Sequence, residues 1–237
     1  VCSAGQEQIN IKGAVLDSRL VEEGYLFFAT KGEKVDGHSF IPQVAEKKAA
    51  CVVCEKVPES VEIPYILVED SFTALKQIAT FYRENLNIPI VGITGSVGKT
   101  STKEIISSVL ATRYNVLKTE GNFNNEIGLP LTVFRLREEH EIAVLEMGIS
   151  GFGEMSRLAK IAKPDVAVLT NIGLCHLENL KSRDGILKAK TEMFDFLKAD
   201  ATVILNGDDD KLATVSDVQG RKPIFFGINN HELCRFF

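Results

Sequence analysis

No stretch of this 237-residue sequence approaches the ~18 consecutive apolar residues that a membrane-spanning helix needs. The opening Val-Cys-Ser-Ala-Gly-Gln-Glu is no secretory signal, and the two absences together point to the cytoplasm. Positive charge is not in excess either: 27 Lys and Arg against 32 Asp and Glu leave a net charge of -5. That balance, with a pI near 5.5, excludes the basic face of a nucleic-acid-binding surface and points to small-molecule partners. There is no internal repeat and no low-complexity segment. Cysteine is sparse, and among Cys2, Cys51, Cys54, Cys175 and Cys234 only Cys51 and Cys54 have metal-like spacing. They sit in the apolar run Ala-Ala-Cys-Val-Val-Cys-Glu, a strand in which positions three apart face opposite sides, so they read as reduced core thiols.

What is present suits a globular protein with two domains: 45% hydrophobic and 25% charged residues, with mean hydropathy +0.05. The chain does not begin with Met and ends at Arg235-Phe236-Phe237 without a closing element, which reads as a fragment.

The most informative stretch is Ile88 to Thr102. Ile88 to Ile93 is β-branched and apolar, hence a buried strand; Thr94 to Gly98 is a glycine turn; a helix opens at Lys99. Glycines at 95 and 98 let backbone N–H groups close on an anion, the helix start adds its positive end, and Lys99 reaches outer phosphates. Thr100 offers a hydroxyl to Mg²⁺. Ile93 stands where the general P-loop pattern has its first glycine, so the match is the shorter Thr-Gly-x-x-Gly-Lys-Thr form.

Upstream, strands are expected at 11–16, 25–29, 51–54 and 65–68, a short helix at 40–48, and a helix from a Ser71 cap to about Leu86. Asp17, Ser18, Arg19, Lys31 and Gly32 cluster in two loops that serve equally as an anion site or as solvated turns. A boundary near Asn87, marked by Pro89, separates a small α/β N-terminal domain (1–86) from a P-loop domain (87–237). In the latter strands alternate with helices, as in a mostly parallel, doubly wound sheet. Ligands of such sheets bind beyond the carboxyl ends of the strands.

At those ends stand Glu146, suited to hold Mg²⁺ or to make a salt bridge, and Asn171, which leads to His176. Asn122, Asn124 and Asn125 crowd one turn able to donate to phosphate or carbonyl groups, or to serve as left-handed backbone. Lys190, on a helix with an apolar stripe, reads by itself as solvated surface. Asn206-Gly207-Asp208-Asp209-Asp210 reads as a strand end, a turn and an acidic helix start.

In order, Thr94–Ser101, Glu146-Met147-Gly148, Asn171 with His176-Leu177-Glu178, and Ala189-Lys190-x-Glu192-Met193-Phe194 resemble the Mur ligases of peptidoglycan precursor synthesis. The resemblance runs from about Asp17 to the end. Gly-Asn-Phe-Asn-Asn-Glu-Ile-Gly-Leu-Pro at 121–130 looks like the branch that adds D-alanyl-D-alanine to UDP-N-acetylmuramoyl tripeptide. It implies ATP held by Thr94, Gly95, Ser96, Val97, Gly98, Lys99, Thr100 and Ser101, with Lys99 on the β/γ-phosphates. It further implies one Mg²⁺ on Thr100 and Glu146 and a second on His176 and Lys190, the lysine being carbamylated by CO₂. Lys99, His176 and Lys190 would be the catalytic set; Ser18, Arg19, Lys31 and Gly32 would hold the UDP-muramoyl part, and Asn122, Asn124 and Asn125 the substrate. The family's third domain has no counterpart here, so turnover by this chain alone is not expected. Three other readings stay open: the sister ligase adding the third amino acid, a P-loop kinase or GTPase, although no Asn-Lys-x-Asp signature is present, and a non-catalytic binding module.

Overall fold

The computed structural model describes residues 9–32, 35–59 and 61–229, so Cys2, Glu33, Lys34, Cys234 and 235–237 lie outside the described residues. The first sheet contains β1 (Gly13–Val15), β2 (Tyr25–Phe28), β3 (Cys51–Cys54) and β4 (Tyr65–Leu67), all parallel and in the order of the sequence. Parallel neighbours need a crossover, and α1 (Ile41–Glu46) lies in the one from β2 to β3. Phe27, Ile41, Val44 and Val52 form its core, and Cys51 and Cys54 are buried in β3.

Helix α2 (Ser71–Glu84) follows. The expected cap is displaced by one residue. Asp70 Oδ1 accepts from Thr73 N at 2.6 Å, while Ser71 donates its N–H and its hydroxyl to Glu55 Oε1 at 2.9 and 2.7 Å. A carboxylate is the stronger acceptor for the first-turn N–H groups and their positive dipole end, so Asp70 takes the cap. The chain divides into two compact units, residues 1–81 and 82–237, inside this helix.

The second unit contains β5 (Ile90–Thr94), α3 (Lys99–Leu110), β6 (Val116–Lys118), α4 (Gly128–Val133), β7 (Ile142–Glu146), α5 (Glu154–Ala162), β8 (Val166–Leu169), α6 (Leu177–Leu180), α7 (Arg183–Thr191), β9 (Thr202–Asn206) and β10 (Ile224–Phe226). Its sheet has the order β10-β9-β8-β5-β7-β6, every pairing parallel. Every residue of β5 is buried, as a central parallel strand covered on both faces requires. Val91, Ile93, Val144 and Val168 pack with Ile106 and Leu110 of α3. β5 is the switch point, because the chain leaves it for β6 and β7 on one side and returns to β8 on the other, which opens a crevice beyond its carboxyl end. The helix expected around 185–197 is α7 followed by a tighter 3₁₀ segment, Glu192–Phe196, with Ser182 capping α7 through Gly185 N at 3.1 Å. No helix among the described residues is long and apolar enough to cross a membrane.

Candidate nucleotide and metal site

The turn after β5 is built around two glycines. Gly95 has φ +154°, and a Cβ there would stand 1.9 Å from Thr170 Oγ1, so no other residue fits. Gly98 has φ +79° and heads α3, a left-handed conformation open to glycine at little cost. The turn is clamped from the end of β8: Ser96 N donates to Asn171 O and Val97 N to Asn171 Oδ1, both at 3.0 Å, and Thr170 Oγ1 donates to Val97 O at 2.7 Å. Those bonds use the Ser96 and Val97 amides within the loop. The N–H groups of Lys99, Thr100 and Ser101 precede the first intrahelical bond, Thr102 N to Gly98 O, and point out of the helix start. The buried Thr94 hydroxyl donates to Met147 O at 2.8 Å and so braces the loop after β7.

Glu146 ends β7 in register with Ile93. Thr100 Oγ1 donates to its Oε2 at 2.9 Å and Asn124 Nδ2 to its Oε1 at 2.8 Å, while its own N–H donates to Thr119 Oγ1 at 3.0 Å. A hydroxyl and a carboxylate at the head of a phosphate cradle are hard oxygen donors suited to Mg²⁺. Among the described residues no group of three or more His, Cys, Asp or Glu is assembled. An ion at Glu146 would therefore complete its shell with phosphate and water, which is the habit of Mg²⁺.

Lys190 is not on the surface: its exposure is 1%, and its Nζ donates to Gly95 O at 3.1 Å. Lys99 Nζ donates to the same carbonyl at 2.8 Å. Burial pulls the Lys190 ammonium down to about 8; Cys175 opposes that shift and the Lys99 charge adds to it. Cys175 Sγ in turn donates to Ser96 Oγ at 3.2 Å. His176 stands exposed at the head of α6 with φ +53°, and among the described residues no hydrogen bond joins its ring to Lys190 or Glu146.

The three asparagines of one turn separate. Asn122 is exposed, Asn124 serves Glu146, and Asn125 Oδ1 accepts from Ile127 N and Gly128 N at the start of α4. The acidic run after β9 does more than end a strand, since Asp209 Oδ2 accepts from Ile172 N at 2.8 Å and Arg183 ion-pairs with Asp210 at 2.5 Å. Thr119 and Lys103 were not singled out in the sequence, and Asp209 was read there only as part of an acidic helix start. Lys103 is 2% exposed and donates to Thr119 O at 2.7 Å, a bond that no helical spacing announces.

In the first unit a cavity of about 650 Å³ is lined by Asp17, Ser18, Arg19, Thr30, Gly32 and Gln43 among others; Lys31 belongs to the same loop without lining it. Lys47 Nζ donates to Ser18 O and Arg19 O, both at 2.9 Å, which fixes the loop. Hydrogen bonds from Arg19 hold the Asp17 carboxyl down at about 2, and the Arg19 side chain is 84% exposed.

A glycine-turned anion cradle at the switch point of a parallel sheet, with a threonine–glutamate pair beside it, defines a P-loop nucleotide-binding fold. Family comparison matches the Mur ligase middle domain over residues 93–235 and the catalytic domain of the Mur ligase family over 10–91; the chain belongs to the Mur ligase family. It is 46% identical over 228 residues to the UDP-N-acetylmuramoyl-tripeptide--D-alanyl-D-alanine ligase of Bacillus subtilis, covering 95% of this chain and 49% of that one. The crystal structure of MurF from Acinetobacter baumannii matches with a TM-score of 0.85 at 36% identity, over 92% of this chain and 48% of its own. MurF from Thermotoga maritima, solved in complex with ADP, matches with a TM-score of 0.83 at 38% identity, over 93% and 51%. The chain spans about half the length of these relatives.

Proposed function

We propose that this chain works in ATP-dependent amide formation, joining D-alanyl-D-alanine to UDP-N-acetylmuramoyl tripeptide in the cytoplasm. Residues 87–237 bind ATP and residues 1–86 bind the UDP-muramoyl peptide. The names of the relatives supply the substrates. The observation that carries the chemistry is Lys190, a buried amine with a lowered pKa held against the carbonyl of the phosphate loop.

The N–H groups at the start of α3 receive the phosphates, and Lys99 leaves Gly95 O for the β/γ oxygens. Thr100 and Glu146 would hold one Mg²⁺, and His176 with a carbamylated Lys190 would hold a second. Mg²⁺, when bound, offsets phosphate charge and orients the γ-phosphoryl group for in-line attack. An ammonium cannot ligate a cation. A neutral Lys190 amine can add to the carbon of CO₂, forming the N–C bond and losing one proton to solvent, which leaves a carbamate with two oxygen donors. An amine that titrates near 8 is neutral often enough at cellular pH to do so. The tripeptide carboxylate then attacks the γ-phosphorus and ADP departs. The amine of D-alanyl-D-alanine attacks the resulting acyl phosphate, and phosphate leaves as the amide forms. Ser18, Arg19 and Gly32 hold the UDP end in the first-unit cavity, with Lys31 at its rim. Asn122 faces substrate, while Asn124 and Asn125 act through Glu146 and α4.

Calorimetric titration of this chain with the UDP-muramoyl tripeptide and, separately, with the dipeptide form tests the assignment. Preferential tripeptide binding is expected. Preference for the dipeptide would move the assignment to the ligase that adds the third amino acid.

A further inference from the structure

Glu192 has no part in the chemistry above, yet its carboxylate is engaged more fully than that of most acidic residues in the second unit. Gly153 N donates to its Oε1 at 2.9 Å and to its Oε2 at 3.0 Å; Ser156 donates to Oε2 through its N–H at 3.2 Å and its hydroxyl at 3.1 Å. These donors are the N-cap and first turn of α5, where Gly153 is left-handed at φ +77° and supplies no capping side chain of its own. A helix start leaves N–H groups unsatisfied and carries partial positive charge. Glu192 satisfies both from another element.

Its position gives that bond a consequence. Glu192 stands where α7 tightens into the 3₁₀ segment, and its own N–H donates to Lys190 O. The donors stand at the far end of the 147–153 loop, whose near end is Glu146, fixed by Thr100, Asn124 and Thr119. One carboxylate therefore ties the helix end that carries Lys190 to the loop that begins at Glu146.

We infer that Glu192 is a positioning residue that holds Lys190 at the Gly95 carbonyl and sets its place relative to Glu146 by clamping the start of α5. The inference rests on the proposed role of Lys190 only for its bearing on catalysis; the placement of the amine is a separate observable.

The test compares the wild-type chain with Glu192→Gln and Glu192→Ala by competitive amine acylation, read lysine by lysine by mass spectrometry. Lys103, buried to the same degree in the same unit, is the internal control. Lys190 should be acylated about tenfold faster in Glu192→Ala, with a smaller rise in Glu192→Gln and no change at Lys103. An unchanged Lys190, or Lys190 and Lys103 rising together as in a general loosening, would overturn the inference. A second readout uses ¹³C-bicarbonate and the NMR signal of a lysine carbamate, with Lys190→Ala to assign it. The signal should weaken in Glu192→Ala, and a signal of full strength there would overturn the clamp. Absence of any Lys190-dependent signal in the wild type would instead overturn the carbamate reading alone, and the acylation ratio would still decide for or against Glu192.

Discussion

The two units gather polar groups in opposite ways. Around the first-unit cavity the charged pairs are local, Asp17 with Arg19 exposed and Asp36 with His38 half-buried, each two residues apart, while Lys47 reaches Ser18 O and Arg19 O from 29 and 28 positions away. Around the phosphate loop they are distant in sequence: Val97 with Asn171 at the surface, Thr100 with Glu146 half-buried, and Gly95 with Lys190 buried and 95 positions apart. Local exposed pairs contribute little to the fold, about 0–1 kcal/mol each, and leave the arginine available to a ligand. Distant buried bonds fix a geometry, and removal of one partner strands the other in a low-dielectric interior. On the proposed reading the first site acts as a recognition surface and the second as a preorganised cage.

That contrast predicts graded effects. Lys190→Ala should lower ligation by the full-length protein about 10³-fold, with partial recovery on adding short carboxylic acids that supply the lost oxygen donors. Wild-type turnover in the variant would remove Lys190 from the cage. The same lysine sets a pH dependence. Between about 8 and its ordinary value of 10.5 the unfolded chain keeps a proton that the folded chain has lost, so the cost of burying the charge is present below about 8 and vanishes as pH rises through this window. Thermal melts at pH 7, 9 and 10 should show Lys190→Met gaining most over wild type at pH 7.

Glu146→Gln should weaken Mn²⁺ binding in the presence of nucleotide about 10²-fold, measured by electron paramagnetic resonance, because the amide loses the charge while keeping the shape. An unchanged affinity would place the ion elsewhere. In the first unit, Arg19→Ala should weaken UDP binding only about tenfold and leave thermal stability within about 0.5 kcal/mol. A large loss of stability would show that the surface is a cage after all. Smallest is the acid effect. Asp17 titrates at about 2 rather than 3.8, so its contribution is present above 3.8 and fades as pH falls toward 2; solvent screening keeps it under about 1 kcal/mol. NMR titration should return Asp17 toward 3.8 in Arg19→Ala.

How much of this was legible in the sequence follows the same division. Periodicity and glycine spacing were enough to expect the alternating α/β fold and the phosphate loop, because both are written within neighbouring residues. Glu146 was legible as the polar end of an apolar strand. Lys190 was not: its helical spacing suits a surface residue, and only the packing of α7 against a loop far upstream buries it, so the resemblance alone marked it. Nor was the Asp70 cap, since a serine and an aspartate side by side both suit the position and the competing partner, Glu55, comes from β3's end. Asp209 reaching Ile172, and Asn125 capping α4 in a turn that also offers Asn122, are side-chain choices made by the tertiary structure.

The strand order also bears on how the chain comes together. In the first sheet each strand pairs with the next one synthesised, so it can grow as the polypeptide emerges. In the second, β5 is made first and its partners β7 and β8 arrive only after Ile142 and Val166, with edge strand β6 finding no neighbour before β7. A nascent chain therefore carries an apolar, unpaired β5 until β7 has been made, the kind of segment that invites aggregation and rewards chaperone binding. The central position that makes β5 the floor of the phosphate cradle also makes it the strand of this sheet that waits longest, from its own synthesis, for neighbours on both sides.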